Sequence, residues 1–126
     1  MSFRTPLGRV RGLGSARDGT HHWWAQRVTA IALVPLTVWF VVSILMLAGA
    51  DRSAVADWLA SPVAAGLLVM TILAAFHHGQ LGLQVVIEDY VHNEAWKIGL
   101  IVFVKLAALL FGGVAVVSAL KLAFGG

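Results

Sequence analysis

Val28 to Ala50 is a run of 23 residues without one charged side chain, and a chain carrying such a run has few places to put it. Wound as a helix at about 1.5 Å per residue it is about 34 Å long, enough to cross a hydrocarbon core of about 30 Å. Two further stretches repeat the pattern. Val63 to Ile87 has His77 and His78 as its only ionisable side chains, and Ile98 to Leu120 is broken only by Lys105. With 60% apolar and 12% charged residues, the chain departs from the roughly half and quarter of a soluble domain, so water is not its main solvent. In lipid each backbone polar group must be satisfied inside its own segment. The runs therefore predict an all-α membrane protein with three transmembrane helices, spanning about 28–50, 62–88 and 98–121.

The segments between the runs set the organisation. Residues 1–20 carry four Arg and no helical or alternating apolar period, and read as an irregular part of a basic arm over 1–27. The apolar run starts too late and lasts too long for a signal peptide, and no cleavage is expected. Pro35 lies inside the first run and is expected to bend that helix. The polar stretch Asp51 to Asp57 forces an exit, and Ser61 before Pro62 fits an N-cap and first helical position. Glu88, Asp89, His92, Asn93, Glu94 and Lys97 fall within ten residues and are expected to form the next loop, while Gly112 and Gly113 let helix backbones approach closely. No internal repeat or low-complexity segment is present.

Orientation and exclusions follow from the charges. Arg4, Arg9, Arg11, Arg17 and Arg27 precede the first span, and positive charge of this kind stays on the cytoplasmic side. The N-terminus is expected inside and the C-terminus outside. Nine Lys and Arg against six Asp and Glu, with five of the nine in the arm, encode topology rather than a nucleic-acid-binding face. Without a cysteine this chain supplies no disulfide, thiolate metal site or iron–sulfur ligand.

The deepest ionisable feature is the pair His77 and His78. Counting back from Asp89 at the inner surface, His78 lies 11 residues in, about 16 Å along a helix and near the bilayer centre. An imidazole there must hydrogen-bond or bind a metal. Zinc lacks further ligands within helical reach, whereas haem iron needs one axial ligand from each side. Gly82, one turn from His78, would let a flat ring approach the backbone. His77 points about 100 degrees away, so the two histidines cannot be opposite ligands of one iron, and a second chain must supply the other. The alternative is that both bond neighbouring backbone carbonyls within a helix bundle.

Glu88, Asp89 and Tyr90, at the inner end of the same helix, form a second constellation. Eleven residues at about 100 degrees each place Asp89 nearly below His78 on one stripe, if the helix runs that far. A phenol beside a carboxylate can donate to a quinone oxygen and pass protons, as quinone reduction requires; the pair also reads as an interfacial aromatic anchor and a polar helix end. A third group, His21, His22 and Arg27 with Trp23 and Trp24 between them, can hold haem propionates or serve as interface anchors. Lys105 can pair with an acid of a neighbouring chain or snorkel to the inner surface. Trp39, Trp58 and Trp96 read as packing or belt aromatics.

The stretch His78 to Tyr90, HGQLGLQVVIEDY, resembles the second-helix signature of the hydrophobic membrane anchor subunit of succinate dehydrogenase, respiratory complex II. The likeness extends to the basic arm, the RVTAIAL segment at Arg27 and the three spans. It implies that His78 ligates haem b, shared with a partner subunit, and that Tyr90 with Asp89 meets ubiquinone at the inner face. His21 and Arg27 match arm residues near the haem propionates. Gln84 departs from the pattern: it stands six residues before Tyr90, where several relatives have it at five. Aligning on Gln84 favours His77 as ligand; aligning on Tyr90 and Gly82 favours His78, which keeps Gly82 in its place beside the ring. Glu88 stands where a small polar residue is common.

The resemblance further implies four subunits in a bacterial inner membrane: a flavoprotein with FAD, an iron–sulfur subunit, a second membrane chain of cytochrome b type, and this chain. Its work would be docking, holding half of the haem site and completing the quinone pocket, not touching succinate. The same anchor could serve a quinol:fumarate reductase. A non-redox scaffold or transporter subunit is the reading from another class, though the spans contain no Asp or Glu of the kind a transporter embeds.

Overall fold

The computed structural model describes Pro6 and residues 17–125. Four helices follow in order, α1 (Arg17–Met46), α2 (Arg52–Leu59), α3 (Pro62–Tyr90) and α4 (Glu94–Ala123), and no strand occurs among the described residues. Three of them are long and apolar enough to cross a membrane, over Gly19–Met46, Pro62–Tyr90 and Glu94–Ala123. The three-span, all-helical expectation is met.

The helix ends differ from the expected loops in informative ways. α1 starts at Arg17, so the residues from there to Thr20, read above as irregular, already belong to the helix; Arg4, Arg9 and Arg11 lie outside the described residues. Charge stops a helix from lying in hydrocarbon, but it does not stop the helix from continuing beyond it. The acidic segment behaves in the same way. Glu88 and Asp89 occupy the last turn of α3, Glu94 and Lys97 the first turn of α4, and only Val91 to Asn93 connect them. Asn93 caps α4 by accepting from the Trp96 N–H at 3.1 Å, and Lys97 pairs with Glu94 at 3.2 Å.

The polar exit after the first span is a helix rather than a loop. Asp51 accepts the Ala54 N–H at 2.9 Å and opens α2, which places Val55, Trp58 and Leu59 on one face. Trp58 stacks on Trp39 of α1 at 5.7 Å between ring centroids, and Leu59, only 2% exposed, is the most deeply buried large side chain. Ser61 and Pro62 begin α3 as expected, although the Ser61 hydroxyl makes no capping bond.

α3 is the middle of the bundle, with α1 and α4 each packed along it and not along one another. The antiparallel course of α1 and α3 brings residues of the first half of α1 against the second half of α3. On the other side Gly112 of α4 is buried against Phe76: a Cβ at Gly112 would lie 3.4 Å from the ring. Gly113 has nothing within 4 Å of the same position, so only the first glycine of the pair makes a close approach. α1 runs through Pro35 as one helix. Most large apolar side chains stay exposed, the surface a bilayer or further helices would cover.

Candidate functional site

α3 is unbroken from His78 to Tyr90, which fulfils the condition for Asp89 to share a stripe with His78. His78 is half-buried and faces α1, where its Nδ1 lies 3.0 Å from Thr29 Oγ1. The Thr29 hydroxyl also lies 2.7 Å from the Ala25 carbonyl and 3.2 Å from that of Gln26. The other ring nitrogen, Nε2, has no hydrogen-bond partner among the described residues. His78 therefore bonds a side chain of the neighbouring helix, not a backbone carbonyl.

Gly82 is on the same side of α3. A Cβ there would meet Gln26 Nε2 at 3.8 Å, so any flat group beside Gly82 shares its space with that amide. Asp89 and Tyr90 stand exposed on the last turn, Tyr90 at 78%, with no hydrogen bond between them. His77 takes a different direction. With Gln84 and Glu88 of α3, His21 and His22 of α1 and Lys105 of α4, it lines a polar cleft of about 460 Å³ between the helices. Gln80, Gln84 and Glu88 form a ladder along this cleft, with amide donors at 3.3 and 3.0 Å from the next acceptor. Lys105 thus opens onto the cleft instead of pairing with an acid among the described residues.

The arm-side candidates separate. His22 is about 20 degrees from Thr29 around α1, on the face toward α3, whereas Arg27 is about 160 degrees away with its guanidinium 5.4 Å above the Trp23 ring. Within this chain His78 and Gly82 share one side of α3, His21 and His77 line the same cleft, and Arg27 joins neither. His22 Nε2 and Gln26 Oε1 are buried without a partner among the described residues, an arrangement that costs about 1–3 kcal/mol per atom unless another group supplies one.

Residues 1–114 match the family described as the succinate dehydrogenase/fumarate reductase transmembrane subunit. The chain belongs to this family. It is 35% identical over 108 residues to the succinate dehydrogenase hydrophobic membrane anchor subunit of Rickettsia bellii, covering 86% of each chain. The subunit of the same name from Rickettsia conorii is 34% identical over 105 residues, 82% of this chain and 83% of the relative. That of Paracoccus denitrificans is 30% identical over 101 residues, 80% and 78%. Family membership and the three apolar helices make the chain a multi-pass membrane anchor subunit.

The haem that the resemblance implies can be tested against the donor set of this anchor subunit. One imidazole with Nδ1 engaged and Nε2 uncommitted is what an axial position asks of one chain. The unpaired His22 Nε2 is suited to a carboxylate such as a propionate. Among the described residues no three His, Asp or Glu side chains gather to hold a bare metal ion. The residues present fit one side of a haem. Sequence reasoning missed Thr29 and the Gln80–Gln84–Glu88 ladder; the i, i+4 spacing of the ladder was legible, while the Thr29 contact joins residues 49 apart and left no local signal.

Proposed function

We propose that the chain is the hydrophobic anchor of a succinate:quinone oxidoreductase in a bacterial inner membrane, with its N-terminus inside. It docks the flavoprotein and iron–sulfur subunits, shares haem b with a second membrane chain through His78, and forms part of the ubiquinone-reduction site with Asp89 and Tyr90. The observation that carries this reading is the His78 imidazole, held against α1 through Nδ1 with Nε2 uncommitted, on the α3 stripe that ends at Asp89.

When bound, a haem would supply a one-electron reservoir near the quinone. The work of this chain's own residues is simpler. Thr29 orients the His78 ring, His22 presents a buried Nε2 that in its protonated tautomer donates to a carboxylate, and Tyr90 presents a hydroxyl that can donate to a quinone oxygen. Exposure of the last turn of α3 leaves Tyr90 free to meet a ligand shared with another subunit. The outward apolar faces support contact with lipid and with the second membrane chain.

The test is a reduced-minus-oxidised visible spectrum of the complex purified through this chain. A paired-imidazole haem signal lost in His78→Ala is the expected result. An unchanged signal removes His78 from the site.

A further inference from the structure

Thr29 has one hydroxyl hydrogen and three neighbours, and their chemistry decides where that hydrogen goes. The Ala25 and Gln26 carbonyls can only accept, and the Ala25 oxygen, at 2.7 Å, is at the usual distance for a donated O–H. The hydroxyl hydrogen is therefore committed to the backbone of α1. What remains on Oγ1 is a lone pair, and the contact with His78 at 3.0 Å must be made by a hydrogen on the ring. A neutral imidazole that donates from Nδ1 carries its free lone pair on Nε2. Were the hydroxyl to donate to Nδ1 instead, the bond to Ala25 would be lost and Nε2 would carry the proton, unfit to ligate.

We propose that Thr29 is a positioning residue that fixes His78 in the tautomer with Nε2 free and, by accepting from Nδ1–H, raises the donor strength of that nitrogen toward a metal-centred cofactor. The inference rests on the proposed role of His78 as a haem ligand and adds the residue that sets its electronic character. The back-bond of Thr29 to Ala25 is part of the device, because it turns the hydroxyl from a donor into an acceptor. The Nδ1–H bond also fixes the plane of the ring, since Thr29 sits on a helix turn and not on a loop.

The test uses the purified complex with wild-type chain, Thr29→Val, Thr29→Ser and His78→Ala, read by visible spectrum and by redox titration of the haem. Outer-sphere hydrogen bonds to a metal-bound His are typically worth about tenfold or more in metal affinity. A tenfold loss confined to the oxidised iron is a positive shift of about 59 mV in a one-electron potential. Thr29→Val is expected to raise the potential by this order or to lose haem, and Thr29→Ser, which keeps the hydroxyl, to restore wild-type behaviour. Wild-type potential in Thr29→Val, or an equal shift in Thr29→Val and Thr29→Ser, overturns the role of the hydroxyl while His78 stands as ligand. Haem that persists in His78→Ala overturns the inference together with the reading on which it rests.

Discussion

Removing the Tyr90 hydroxyl separates two chemical roles by size. Tyr90 is 78% exposed and its hydroxyl bonds no protein group among the described residues, so Tyr90→Phe should change the stability of the chain by no more than about 0.5 kcal/mol. Asp89, though adjacent in sequence, makes no hydrogen bond to the phenol, and among the described residues no hydrogen-bonded relay reaches it. The hydroxyl is then a neutral donor to a quinone oxygen, worth about 0.5–1.5 kcal/mol, which converts to a loss of about two- to thirteen-fold. A group acting as general acid would cost about a hundredfold or more. The assay compares succinate oxidation coupled to ubiquinone with the same oxidation coupled to a soluble artificial acceptor in one membrane preparation. The quinone-linked rate should fall within the smaller range while the other holds. An equal fall in both, or no fall in either, refutes the placement of Tyr90, and a loss beyond a hundredfold refutes its assignment as a simple donor.

Two further outcomes probe the scaffold. Gly112→Ala should be tolerated, since its Cβ would rest at 3.4 Å from Phe76, whereas Gly112→Leu must displace that ring and should destabilise the α3–α4 pair by about 1–3 kcal/mol, seen as a lower melting temperature of the detergent-solubilised complex. Asp51→Ala removes the acceptor for the Ala54 N–H and should cost α2 about 1 kcal/mol, measured as faster amide hydrogen exchange confined to residues 52–59.

The spans were legible because bilayer thickness imposes a length that a run of uncharged residues displays directly. Their ends were not, because charge marks the limit of hydrocarbon while capping marks the limit of a helix; Glu88 and Asp89 have left the apolar run yet belong to α3, which ends at Tyr90, three residues before Asn93 is followed by the next helix. α2 was hidden by its polarity, although Asp51 and the spacing of Val55, Trp58 and Leu59 carried the signal of a short amphipathic helix. At the candidate site, the His78–Asp89 stripe follows from helical periodicity alone. The partition of His78 toward α1 and His77 toward the cleft depends on where α1 and α4 lie around α3, as does the separation of Arg27 from His78. No local pattern encodes such azimuths. They are set by packing between segments tens of residues apart.

The bundle has a single spine. Since α1 and α4 both lean on α3 and not on each other, a displacement at either end of the chain reaches the opposite side by rotating or sliding that one rod, or through α2, which stacks on Trp39 of α1 and packs against α4. His78 and Phe76, two residues apart on it, fasten it to Thr29 on one flank and to Gly112 on the other. Any subunit that twists α4 would therefore turn the imidazole against its hydroxyl clasp.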